Sequence, residues 1–402
     1  MKILAIETSC DETAISILEA TGEYKDAQFT VLGNALYSQA QKHAQYGGVY
    51  PTLAKREHAA NLTILLEKAI KDASLYTEKD QDITDEQKKF IETTLEREPG
   101  LARTALQFLS KAEKPDIDAI AVTQGPGLEP ALWVGINFAR TLAFLWDLPI
   151  LPVNHLEGHM IASSVEVSDE NKQTYTITET NFPVLGLIIS GGHTEFVYAQ
   201  NWGDYKVIGA TRDDSIGEAF DKVARLMGIP YPGGPELSRL AEQGRRTLLT
   251  RPAHLAKDMV TLPRPMANSD NLDFSFSGLK TAVLYYVQEK GDFTETQTKL
   301  LCAEFEEAVI DVLLKKVGRA LESHQTNTLL LGGGVSANTY IRKRLTNTYK
   351  DKDVSVRLPA EGLSTDNAVM IGMAGYLMHL RKAKTKSAQD DLPADGNMKL
   401  DT

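Results

Sequence analysis

The sequence predicts an α/β protein of two lobes built on one plan. Three observations carry this. The start, "KILAIETSCDETAISIL", reads as strand, polar turn and strand, and "FPVLGLIISGGHTEFVYA" repeats the pattern. Shifted by 181 residues, Ser9 falls on Ser190 and Thr13 on Thr194, with apolar runs on both sides. Such a match near the start of each half points to one duplicated plan. Strand-to-glycine-loop-to-helix transitions also occur once per half, in "IDAIAVTQGPG" and "NTLLLGGGVSANTYIRKRL". Finally, strands alternate with helices along the chain, which implies layered α/β lobes. Two such lobes are expected to face each other across a cleft lined by the glycine turns.

The first lobe is expected over 1–165 and the second over 182–380, with the final helix of the second able to return to the first. Residues 72–114 are rich in Glu, Lys, Asp and Gln, and Thr84 to Gln87 resembles a capping box. Their sparse apolar content predicts a solvated helical insertion. Residues 166–181 read as a polar loop. From Arg381 onward the chain is basic, then acidic and poor in apolar residues, which predicts a disordered tail over 381–402.

With 402 residues, 42% hydrophobic and 24% charged, the composition is that of a globular protein long enough for two domains. A net charge of −11 argues against nucleic-acid binding by bulk charge, although a local basic strip can still serve. Such a strip occurs at 244–264, with Arg245, Arg246, Arg251, Lys257 and Arg264 against Asp258. Two cysteines, Cys10 and Cys302, make neither a disulfide framework nor a cysteine zinc site and suit a reducing compartment. The first residues do not read as a signal peptide, and no apolar run approaches the length of a membrane span. A cytoplasmic location with no membrane partner is the expectation.

Several stretches can carry chemistry. In "VNHLEGHM", His155 and His159 stand four apart, so on a helix both rings share a face and can meet one ion. "GLSTDNAVMIG" puts Asp366 before an apolar helix, where Ser364 or Thr365 is expected to cap and Asp366 can ligate a cation. "IISGGHT" ends a strand with Ser190, Gly191, Gly192 and His193, which offer amides and a polar side chain. "SIGEAFDKVARLMG" spaces Glu218, Asp221 and Lys222 along a helix, where a solvated face is the ordinary reading. Gly233 and Gly234 in "YPGGPELS" allow a close approach to a ribose or base, or simply a turn. "LLLGGGVSAN" suits phosphate at a helix N-terminus, and no P-loop pattern occurs.

"IETSCDET", "GPG", "NHLEGH", "SGGHT", "GEAFDK", "YPGGP", "DFSFSGLKT", "GGGVSAN" and "STDNA" occur in this order. Together they resemble the tRNA threonylcarbamoyl-adenosine transferase family of the bacterial TsaD type. The resemblance implies a two-lobed actin-like, sugar-kinase-like and Hsp70-like fold with a central cleft. It implies transfer of a threonylcarbamoyl group from threonylcarbamoyl-adenylate to N6 of the adenosine at tRNA position 37, in tRNAs that read codons beginning with adenine, with release of AMP. One divalent ion per subunit, Fe2+ or Zn2+, is expected on His155, His159 and Asp366. Ile189, Ser190, Gly191, Gly192 and His193 match the loop that holds the threonylcarbamoyl end. Asp221, Gly234 and Asn338 match adenosine contacts, with Ser238 one turn beyond Gly234. Asp11 and Glu12 match an acidic pair associated with activity. The expected partners are tRNA, a paralogous TsaB-type subunit and a TsaE-type ATPase.

Departures from the family's usual pattern are Thr52 in "GGVYPT", Glu129 and Pro130 after "GPGL", and Asn154 before His155. Rival readings fit less well. A zinc peptidase of the HExxH type needs its glutamate directly after the first histidine, and here Glu157 comes two residues later. A kinase of the same fold needs only metal carried by ATP. A non-catalytic scaffold would be expected to have lost the three metal ligands.

Overall fold

The computed structural model describes residues 1–169, 171, 173–250, 260–291 and 293–401. Two compact units emerge: 1–43 with 49–180 and 359–402, and 44–48 with 181–358.

The first unit is built on β1 (Lys2–Glu7), β2 (Glu12–Thr21), β3 (Gln28–Ser38), β4 (Ala119–Gly125), β5 (Ile150–Asn154), β6 (Val165–Asp169) and β7 (Thr174–Ile177). They form one sheet in the order β5-β4-β1-β2-β3-β7-β6. β1, β2 and β3 run antiparallel in turn, whereas β4 and β5 join β1 in parallel. Parallel neighbours need a crossover, and the helix Glu129–Trp146 supplies it between β4 and β5. Pro130 sits in its first turn, where the missing N–H costs nothing.

The second unit uses β8 (Val184–Ile189), β9 (Thr194–Asn201), β10 (Asp204–Ala210), β11 (Thr328–Gly332) and β12 (Ser355–Arg357). Their order is β10-β9-β8-β11-β12, with β8, β9 and β10 antiparallel and β8, β11 and β12 parallel. This is the plan of the first five strands repeated. Ser9 and Ser190 both lie where the first strand of their sheet turns into the second. The first strand of each sheet is central, so both of its faces are covered and its residues are almost wholly buried.

Three expectations are corrected by packing. The segment 72–114 forms helices Asp85–Thr94 and Pro99–Leu109, and the Thr84–Gln87 capping box is present. Yet Ile91, Leu95, Leu101, Ala105 and Leu109 are buried in the core of the first unit, so few apolar residues suffice when all lie on one face. Within 166–181, β6 and β7 pair as a hairpin on the outer edge of the sheet. The final helix, Ala368–Leu380, belongs to the first unit and lies across β1, β2 and β5. Gly372 permits this approach, since a Cβ there would run into the Leu18 side chain. The tail also folds onto the first unit: Lys386 and Ile150 exchange backbone hydrogen bonds of 2.9 and 2.8 Å, and Ala388 and Leu392 join its core. No helix among the described residues is long and apolar enough to cross a membrane.

Candidate active site

In the first unit, Asn154 caps the helix His155–Ala162, its Oδ1 accepting from the amides of Leu156 and Glu157. Asparagine is among the best residues for this position, which gives Asn154 a structural reason. The cap fixes where the first turn begins, and His155 and His159 then fall on one face with ring centroids 4.7 Å apart. Asn367, rather than Ser364 or Thr365, caps the helix Ala368–Leu380 through the amide of Met370. Asp366 stands immediately before it. Its Oδ1 lies 3.3 Å from His155 Nε2 and 3.1 Å from His159 Nε2.

Those separations suit one cation. Bonds of about 2.0–2.2 Å to nitrogen and oxygen donors place neighbouring ligand atoms about 3.0–3.5 Å apart. The three donor atoms lie within 4.8 Å of one another. Two imidazoles and one carboxylate fit iron or zinc and leave coordination positions open.

The charges around the site favour a cation. Burial would raise the Asp366 carboxyl, but the imidazoles, His155 foremost, hold it well below the usual carboxylate range. Burial would lower His155, yet the Asp366 and Glu7 carboxylates raise it well above an ordinary histidine. For His159 burial prevails and lowers its pKa. Glu157 points elsewhere. Arg381 grips both of its carboxylate oxygens, so it is occupied in pinning the end of the last helix. That removes the base a zinc peptidase would need.

Asp11 and Glu12 lie at the β1–β2 turn. Burial, then the Asp11 charge, pushes Glu12 up to about 9, and burial raises Asp11 as well. The two carboxyls hydrogen-bond to each other, and both hold a proton more tightly than an ordinary carboxyl. Ser38 Oγ donates to Glu12 Oε1 at 3.2 Å.

In the second unit, Ile189 ends β8 and is fully buried. Ser190 Oγ accepts from the amides of Gly192 at 3.2 Å and His193 at 2.9 Å, so this loop is rigid and those two amides are turned inward. Gly191 and Gly192 have open space where a side chain would stand. Asp221 Oδ1 accepts from the amides of Gly233 at 2.8 Å and Gly234 at 3.1 Å. Asp221 is thus no free surface charge. Gly233 is required for packing, since a Cβ there would strike Ala224, while a Cβ at Gly234 would meet only Phe220 at ordinary contact distance. Asn338 and Ser238 also meet. Asn338 Nδ2 donates to Ser238 Oγ at 2.9 Å and to Glu306 Oε1 at 2.7 Å, and its Oδ1 caps the helix Thr339–Tyr349 through Tyr340 and Ile341. All four hydrogen-bonding positions of this amide are filled within the protein.

Among the described residues of the basic strip, each arginine is paired with a carboxylate. Arg245 pairs with the fully buried Glu306 at 2.7 Å and stacks on Tyr340 at 3.4 Å. Arg246 pairs with Glu242, and Arg264 with Glu304 and Asp311. Arg251, Lys257 and Asp258 lie outside the described residues.

Glu7, His58 and Glu306 are buried residues to which the motif reading gave no role. Glu306 did leave a signal, because it shares the apolar stripe of helix Glu295–His324 with Cys302, Phe305 and Val309. A carboxylate in such a stripe needs a partner. The side-chain partners of Glu7 and His58, among them His155 and Thr123 for the first and Thr13 for the second, lie in distant segments.

Comparison with known proteins decides what this arrangement belongs to. The family model described as TsaD, tRNA N6-adenosine threonylcarbamoyltransferase, matches residues 30–84 and 96–373. The chain belongs to the TsaD family. A relative in Bacillus cereus, named tRNA N6-adenosine threonylcarbamoyltransferase, is 39% identical over 94% of this chain and 91% of its own. One of the same name in Staphylococcus epidermidis is 37% identical over 99% of this chain and 96% of its own. Among solved structures, the activator of 2-hydroxyisocaproyl-CoA dehydratase from Clostridium difficile is similar at 12% identity and a TM-score of 0.44, over 95% of this chain and 96% of that one. As a TsaD member the chain is a transferase, and its α/β architecture has the two sheets of one shared plan expected from the sequence. The family match leaves out 85–95 and still takes in most of 72–114.

Proposed function

We propose that the chain transfers the threonylcarbamoyl group from threonylcarbamoyl-adenylate to N6 of the adenosine at tRNA position 37, releasing AMP. The observation that carries this reading is the convergence of His155, His159 and Asp366 in a TsaD chain. Iron or zinc bound there would act as a Lewis acid toward the carbonyl oxygens of the mixed anhydride.

The protein's own residues do the rest. Ile189 to His193 would hold the threonylcarbamoyl end on a loop made rigid by Ser190. Asp221 and Gly234 would take the adenosine part, with Asn338 holding Ser238 in place beside them. The adenosine N6 amine is a weak nucleophile because its lone pair is delocalised into the ring. Positioning it against the activated carbon therefore supplies much of the acceleration. The N6–C bond forms as the C–O bond to the phosphate breaks, and the N6 proton passes to a carboxylate. Asp11 or Glu12 would be that carboxylate, since burial raises both and gives the pair a stronger hold on a proton than an ordinary carboxyl has.

A TsaB-type subunit and a TsaE-type ATPase are proposed as partners in the cytoplasm, so the chain alone should turn over poorly. The test is reconstitution with threonylcarbamoyl-adenylate, unmodified tRNA and those partners, read by mass spectrometry of the nucleosides. Appearance of threonylcarbamoyl-adenosine is expected. The Asp366→Ala protein should lose most bound metal and most product, and full metal content in that variant would overturn the ligand assignment.

A further inference from the structure

We propose that Glu7 is a positioning residue for the metal, fixing which nitrogen of His155 becomes the donor. The proposal rests on the metal reading of His155, His159 and Asp366. Glu7 is fully buried at the end of β1, in the middle of the sheet. Its Oε2 lies 3.0 Å from His155 Nδ1 and accepts from Thr123 Oγ1 at 2.6 Å. Its Oε1 accepts from the Ser9 amide at 2.5 Å. Both oxygens are therefore gripped, one by a neighbouring strand and one by the turn that follows β1.

A carboxylate held in this way accepts the Nδ1 proton of a neutral imidazole. The lone pair is then on Nε2, the nitrogen that lies 3.3 Å from Asp366 Oδ1. Outer carboxylates of this kind fix the ring and strengthen it as a donor. His159 is not held alike: its Nδ1 is buried without a hydrogen-bond partner in the structure. The two histidines are thus unequal, and His155 is the one whose orientation the sheet dictates.

The test measures metal rather than turnover. The apoprotein is titrated with Zn2+ against a competing chelator, and with Co2+ read by its visible absorption. Glu7→Gln should weaken both ions about 10- to 100-fold and change the Co2+ spectrum, while Asp366→Ala should abolish binding. Equal affinity and an unchanged spectrum in a folded Glu7→Gln protein would overturn the proposal. Absence of binding in the unaltered protein would instead overturn the metal reading itself. Should Glu7→Gln fail to fold, the unaltered protein still decides. In its Zn2+-loaded form, 15N spectra of the histidine rings should show His155 carrying its proton on Nδ1 in a strong hydrogen bond. A proton on His155 Nε2 would overturn the assignment.

Discussion

His58 lies on the helix Pro51–Asp72 and is fully buried. Its Nε2 faces the Cys10 carbonyl at 3.0 Å, which can only accept, so the ring proton is there. Nδ1 must then accept from the Thr13 hydroxyl at 2.7 Å. This neutral ring ties the long helix to the turn that carries Asp11 and Glu12. Burial pushes its pKa down to about 4, against the pull of the Cys10 carbonyl. Between about 6.5 and about 4 the unfolded chain takes up a proton that the folded chain refuses, so stability falls with pH across that window. The loss is at most about 3.5 kcal/mol. Urea unfolding of the apoprotein on either side of the window should show it, and the loss should shrink in His58→Gln. An equal loss in both proteins would place the acid sensitivity elsewhere. The same residue marks the limit of motif reading. The His155–His159 pair was legible from helical spacing, and Asp366 joined it only through the family resemblance. His58 and Glu7 were not legible, because their roles follow from partners in other segments. Arg245 misled for a related reason: its charge was visible in sequence and its partner, Glu306, was not. Changing it to Glu would set two carboxylates together in a buried place, so that variant reports folding before it reports tRNA.

At the scale of elements, the helices Asp85–Thr94 and Pro99–Leu109 were predicted as helices and misjudged as solvated. The count of apolar residues was low, but their placement was consistent. Leu95 and Leu101 are 0% and 1% exposed, among the core residues of the first unit. Leu95→Ala or Leu101→Ala should each cost about 2–5 kcal/mol in chemical denaturation, the range of buried leucine truncations. A change below about 0.5 kcal/mol is what a solvated insertion would give. The last helix makes a second case. Its glycines look like breaks in an apolar run, but Gly372 faces the Leu18 side chain and lies 3.3 Å, at its Cβ position, from Ala5. Gly372→Val should push the helix off β1 and β2 and carry Asp366 with it. Metal content and thermal stability are expected to fall together, and retention of both would show that the helix shifts without moving its first turn.

At the scale of the whole molecule, the duplicated plan was legible because it needs only two similar strand–turn–strand patterns. The fate of the C-terminus was not, because a segment of low apolar content can still dock by its backbone. Beyond Arg381 the chain places Ala388, Leu392 and Leu400 against the first unit, at 7%, 2% and 8% exposure. Arg140 Nε donates to the Ala388 carbonyl at 2.9 Å, and the Asp395 amide donates to the Gln124 carbonyl at 3.0 Å. The segment also reaches the site. Asn154 Nδ2 donates to the Lys399 carbonyl at 3.1 Å, and Asn154 is the cap of the helix that carries both histidines. Burying two leucines contributes about 4 kcal/mol before the entropy of ordering the segment is subtracted. A chain ending at Ala383 should therefore lose about 2–4 kcal/mol against urea, a large share of the stability of an ordinary domain. Its Zn2+ affinity should fall as well, because the cap that sets the register of His155 and His159 loses its outer support. Asn154→Ala in the full chain separates the two effects. It should lower metal affinity with a stability loss of about 1 kcal/mol, the usual worth of a cap. A truncated chain as stable as the full one would mean that the docked tail forms and breaks without net gain. Lower stability with unchanged metal binding would confine its contribution to the core beneath Leu392.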